Sequence, residues 1–63
     1  MPVYEYTKDC GFETRTARIF VGRSHCSVFI EGSHDIYDFN AETFEDAVKI
    51  VKRYGFDKLV EVF

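Results

Sequence analysis

The sequence predicts an α+β domain, an antiparallel sheet of four to five strands with one helix packed on one face, in the order β-β-β-α-β. Two alternating apolar runs point to the sheet. One capped segment of 3.6-residue periodicity points to the helix. Glycines at 11, 22, 32 and 55 fall between these segments like punctuation. The 63 residues suffice for a single domain, 1–63. A domain of this size buries only about 60% of the surface its unfolded chain exposes.

The central hairpin comes from "TARIFVG" and "CSVFIE". Ala17, Ile19 and Val21 alternate with Thr16, Arg18 and Phe20. Cys26, Val28 and Ile30 alternate with Ser27, Phe29 and Glu31. A turn in "GRSH" pairs Val21 with Cys26, Ile19 with Val28 and Ala17 with Ile30, which keeps all six apolar residues on one face. The next turn is expected at Gly-Ser in "EGSHD". A tight turn there pairs Val28 with Tyr37, Cys26 with Phe39, and Phe29 with Ile36 on the opposite face.

The helix is expected in "NAETFEDAVKIVKRYG". Thr43 is the N-cap, and Asp46 stands at the third helical position as in a capping box. Phe44, Ala47, Val48, Val51 and Tyr54 form one apolar stripe. Glu45 and Lys49 are spaced for an ion pair on the wet side. Lys52 and Arg53 suit the C-terminus, and Gly55 ends the helix. The tail "DKLVEVF" is expected to close the sheet with Val60 and Val62 toward the helix. Val3–Thr7 offers an additional N-terminal strand at the edge.

One helix covers one face only. The other face is expected to show Arg18, Phe20, Phe29, Ile36, Leu59 and Phe63, where a wet face calls for polar residues. Seven Phe and four Tyr exceed what one small core needs, so some aromatics belong to the surface. Either the N-terminal segment folds over this face with Tyr4, Tyr6 and Phe12, or the face is an interface for a homodimer or another protein.

Charge narrows the partner. The net charge is −3. No Lys or Arg stands between Arg23 and Lys49, yet Glu31, Asp35, Asp38, Glu42, Glu45 and Asp46 fall in that window. Such a patch repels phosphate backbones and steers toward basic grooves. Stacking of bases on Phe20 and Phe29 beside Arg15, Arg18 and Arg23 is the alternative use of exposed sheet aromatics. The candidate partner-binding residues are therefore the six acids of that window with Arg18, Phe20, Phe29 and Ile36.

Catalytic and metal chemistry find little support. Cys10, His25, Cys26 and His34 are the right residue types for zinc, but they lack Cys-x-x-Cys or His-x-x-x-His spacing. Neighbours on a strand, such as His25 and Cys26, point to opposite faces and cannot form a nucleophile–base pair. No catalytic residue, metal or cofactor is assigned. The sequence has no apolar run of the roughly 20 residues that span a bilayer. Two cysteines without an export signal lead to the expectation of a cytosolic chain with free thiols.

Two resemblances add to this. The head "MPVYEYTKDCGFE" resembles the start of FmdB-type zinc-ribbon regulators at Tyr4, Glu5, Tyr6, Cys10 and Gly11. Thr7, Lys8 and Asp9 stand where that family has its first metal cysteine, and the second cysteine pair is missing, so no zinc site carries over. "FNAETFEDAVKIVKRYGFDKLVEV" resembles the strand–helix–strand unit of very small phage proteins, including podophage RNA polymerase inhibitors and some anti-CRISPR proteins. The matching positions are Ala41, Glu42, Thr43, Asp46, Ala47, Val48, Tyr54, Gly55 and Phe56. This resemblance implies a stoichiometric, non-enzymatic inhibitor acting in the host cytoplasm on RNA polymerase or a CRISPR effector. The expectations left beside it are a nucleic-acid-binding regulator and a homodimeric scaffold.

Overall fold

The computed structural model describes residues 2–9, 11–32 and 35–62. Its elements are β1 (Val3–Asp9), β2 (Thr14–Val21), β3 (Cys26–Glu31), β4 (Ile36–Ala41), α1 (Phe44–Arg53) and β5 (Val60–Glu61). One five-stranded sheet has the order β4-β3-β2-β1-β5, and every neighbouring pair is antiparallel. The first four strands form a meander. The helix then crosses one face, and β5 joins the far side of β1. The N-terminal strand is thus present, but it is an inner strand and not an edge, because β5 covers its free side.

The β2–β3 register follows the apolar pattern: Val21 opposite Cys26, Ile19 opposite Val28, Ala17 opposite Ile30. Ala17, Ile19, Cys26, Val28 and Ile30 are buried. With Ala41, Ala47, Val51 and Phe56 they form the core under the helix. The β3–β4 register differs from expectation by two residues. The Gly32 N–H donates to the Asp35 carbonyl at 2.8 Å, so the strands close on Gly32 and Asp35 rather than on a tight Gly-Ser turn. Val28 faces Phe39, Ile30 faces Tyr37, and Phe29 faces Asp38 instead of Ile36. A shift of two preserves which face each side chain occupies. Ser33, at the expected turn, lies outside the described residues.

The helix is fixed at both ends by local chemistry. The Asp46 N–H donates to Thr43 Oγ1 at 3.1 Å. At the other end the Gly55 N–H reaches the Lys52 carbonyl and the Phe56 N–H reaches the Val51 carbonyl, at 3.0 and 3.1 Å. This is a Schellman closure, and it requires the left-handed conformation that Gly55 adopts at φ 90°. It also drives Phe56 into the core beside Val51, the apolar contact that accompanies the motif. Lys8 Nζ donates to the Gly55 carbonyl at 3.1 Å and ties β1 to the helix end.

Phe44 and Tyr54, the ends of the apolar stripe, are only partly covered. Phe44 packs against Tyr4 with 4.7 Å between ring centroids and the planes tilted by 46°, and Tyr54 lies against Tyr37 and Phe39. The expected Glu45–Lys49 pair is not among the ion pairs of the described residues, which are Arg15–Glu13 and Arg18–Glu5. Exposed helix pairs gain too little to hold two long side chains in one place.

The tail corrects a second expectation. Val60 stands opposite Glu5, and the Val62 N–H donates to the Val3 carbonyl at 2.7 Å. Glu5 and Val3 alternate with the helix-facing Tyr4, so Val60 belongs to the open face with them and is 61% exposed. Leu59 takes the helix side and packs against the core. The expected places of Leu59 and Val60 are therefore exchanged. Phe63 lies outside the described residues.

The candidate docking face

Alternation along five strands builds the open face as cross-strand rows. One row runs Val3, Phe20, Ser27, Asn40. The next runs Val60, Glu5, Arg18, Phe29, Asp38. A third runs Thr7, Thr16, Glu31, Ile36. Phe20 and Phe29 are diagonal neighbours in adjacent rows, and their rings meet edge to face. Phe29 is diagonal to Ile36 across β3 and β4. Arg18, Phe20, Phe29, Glu31 and Ile36 together line a shallow depression of about 380 Å³. Five residues singled out in the sequence thus converge, although they come from three strands.

The N-terminal segment does not cover this face. Tyr4 and Tyr6 point toward the helix, where Tyr4 meets Phe44 and Tyr6 meets Phe56 edge-on at 6.4 Å. Phe12, in the turn after β1, is 93% exposed and touches neither ring of the patch. That turn is set by the Gly11 N–H, which donates to Asp9 Oδ1 at 2.9 Å, with Gly11 at φ 91°. Ile36, the first residue of the edge strand β4, is left 71% exposed.

The acidic window does not remain one surface. Glu31 and Asp38 stand on the open face, and Asp35 lies in the adjoining turn. Glu42 precedes the helix, and Glu45 and Asp46 occupy its first turn, in the other layer of the fold. There the positive end of the helix dipole gives those two carboxylates a structural use. The chain passes from the sheet to the helix layer at Ala41, which divides the six acids into two groups of three.

The basic residues fall badly for base stacking. Arg15 alternates with Arg18 and shares the helix side of β2 with Ala17 and Ile19. Arg18 is held across the strands by Glu5, with 3.3 Å from Nε to Oε2. Arg23 sits in the exposed turn between β2 and β3. Beside the aromatic rings stand Arg18, engaged with Glu5, and the carboxylates of Glu31 and Asp38.

Among the remaining candidates, Cys26 is buried in the core as a free thiol, and His25 is exposed with Nδ1 3.2 Å from Ser24 Oγ. Cys10 and His34 lie outside the described residues. Among the described residues no three His, Cys, Asp or Glu side chains gather as a metal would need, and no helix is long and apolar enough to cross a membrane. A hollow that sequence reasoning missed lies between the helix and the segment 57–59. It is lined by Tyr4, Phe44, Val48, Phe56 and Leu59, with Lys52 and Lys58 beside it, and its volume of about 270 Å³ is small for a ligand site. Phe56 was the signal for it, as the apolar residue that a Schellman closure places against the helix.

No family model matches the chain, and neither a curated protein nor a solved structure matches it.

Proposed function

We propose that the chain is a non-enzymatic inhibitor or regulator that docks by its open sheet face onto a basic surface of a protein partner. The partner class we infer is a nucleic-acid machine, an RNA polymerase or a CRISPR effector, as the resemblance of residues 39–62 to small phage inhibitors implies. The observation that carries this is the uncovered patch of Phe20, Phe29 and Ile36 with Glu31 and Asp38 beside it. Apolar anchors with charged residues at their margin, here Glu31 and Asp38 with the Glu5-paired Arg18, are the anatomy of a protein interface. The whole chain exposes 4507 Å², so a standard interface of about 800 Å² per partner engages most of one sheet face.

The division of labour follows. Asp35 and Asp38 act on encounter rate and salt dependence, and the rings, covered on docking, act on residence time. The double variant Asp35→Lys with Asp38→Lys alters two exposed side chains, so the fold survives. Capture of partners from a bacterial lysate by the variant is expected to fall severalfold below that by the wild type. Equal recovery of the same proteins by both contradicts the acidic part of the surface.

A further inference from the structure

The two edges of the sheet are unequal. β5 offers two residues at one edge, and β4 offers six at the other. The bond from the Gly32 N–H to the Asp35 carbonyl marks Gly32 and Asp35 as a hydrogen-bonded pair. In an antiparallel ladder such pairs recur every second residue. Ile30–Tyr37, Val28–Phe39 and Cys26–Ala41 are therefore the bonded pairs. Ile36, Asp38 and Asn40 turn their backbone outward, with three donors and three acceptors on a free edge. Among the described residues nothing bonds to these groups. Unpaired edges of this length are templates for an added strand.

The same three residues place their side chains on the open face. Asp38 ends the row of Glu5, Arg18 and Phe29. A strand added to β4 extends each row by one residue, so the chemistry of the missing residue can be read from its neighbour. Opposite Asp38 a cation is favoured, and it would lie diagonal to no other charge on β4. Opposite Ile36 an aliphatic residue continues the patch of Phe29 and Ile36. Opposite Asn40 a short polar residue suffices. A second copy of this chain is a poor occupant. Two-fold pairing of β4 with itself places Asp38 opposite Asp38, and a shift by two residues leaves the two carboxylates diagonal.

We infer that the partner docks by adding an extended segment to the β4 edge, with Lys or Arg opposite Asp38 and an aliphatic residue two positions away opposite Ile36. This rests on the open-face docking proposed above and specifies how the partner's chain engages it. Backbone bonds to Ile36, Asp38 and Asn40 supply affinity, and the alternating side chains supply selectivity.

The probe is a capped five-residue peptide, Thr-Tyr-Lys-Thr-Val, with Thr-Tyr-Glu-Thr-Val as its control. Amide resonances and hydrogen exchange of the intact chain are followed by NMR during titration to millimolar peptide. The lysine peptide is expected to shift and protect the Ile36, Asp38 and Asn40 amides severalfold, and the glutamate peptide to leave them unchanged. Absence of protection at those three amides with the lysine peptide overturns the inference. Asn40→Pro gives the second test. The Asn40 N–H points outward, so proline removes an edge donor and leaves the pairing with β3 intact. With its fold verified by circular dichroism, Asn40→Pro is expected to lose lysate capture as Phe29→Ala does. If Asn40→Pro captures like wild type while Phe29→Ala does not, the edge inference falls and the docking face stands. If both capture like wild type, the docking face falls as well.

Discussion

The rings of Phe20 and Phe29 meet edge to face across β2 and β3, with 5.5 Å between centroids and 86° between planes. Neither ring belongs to the core under the helix. The pair holds itself in place on a face that otherwise meets water. Such a pair contributes about 0.5–1.5 kcal/mol beyond its buried area. A double-mutant cycle with Phe20→Ala and Phe29→Ala, read by urea unfolding, is expected to give a coupling of about 1 kcal/mol. Additive losses would show that the two rings do not support each other.

The helix closure sets a larger cost on a smaller change. Gly55 at φ 90° is in the region that costs an L-residue about 1–2 kcal/mol. A Cβ there would lie 3.3 Å from Lys8 Nζ, the far end of a flexible chain that moves easily. Gly55→Ala is therefore expected to destabilise by about 1–2 kcal/mol through the backbone alone. Thr43→Ala should lose about 1 kcal/mol at the other end, and Thr43→Ser should retain most of it. Chemical denaturation of the three variants tests both caps.

Among the described residues Phe56 is the largest buried side chain. Truncating a core Phe to Ala costs about 3–5 kcal/mol, and a chain of this length holds only about 3–9 kcal/mol in all. Phe56→Ala should leave much of the population unfolded at 25 °C, visible as lost amide dispersion in NMR. Phe56→Leu should fold.

The Arg18–Glu5 pair is expected to matter little. Both side chains remain partly exposed, at 43% and 33%. Replacing either by Gln should change stability by less than about 1 kcal/mol, and moderate salt should erase the difference. A larger effect in thermal melts would mean that the pair orients the face.

Much of this fold was legible in the sequence, and the failures share a physical origin. The register of β2 on β3 follows from six apolar residues that must share a face, and the helix ends from Thr43 and Gly55. The β3–β4 register missed by two because a period of two does not distinguish a turn from the same turn moved one residue along the chain, which shifts the pairing by two. Leu59 and Val60 exchanged faces because a two-residue strand carries no periodicity of its own. Its parity comes from pairing with Glu5, which is 55 positions away. Phe20, Phe29, Ile36 and Arg18 were found as a site because alternation alone groups them, and Glu31 joined them through the acidic window. Glu42, Glu45 and Asp46 were grouped with them by sequence adjacency, which the passage from sheet to helix breaks.

The docking face can be tested directly by photo-crosslinking. A benzoylphenylalanine at Phe20 or Ile36 reports what touches the open face, and one at Lys49 reports the exposed side of the helix. The three proteins, irradiated in the same bacterial lysate, are expected to differ. Positions 20 and 36 should yield adducts with a common partner, and position 49 should yield none with it. Adducts to that partner from position 49, with none from 20 and 36, would contradict the open sheet face as the surface this protein uses.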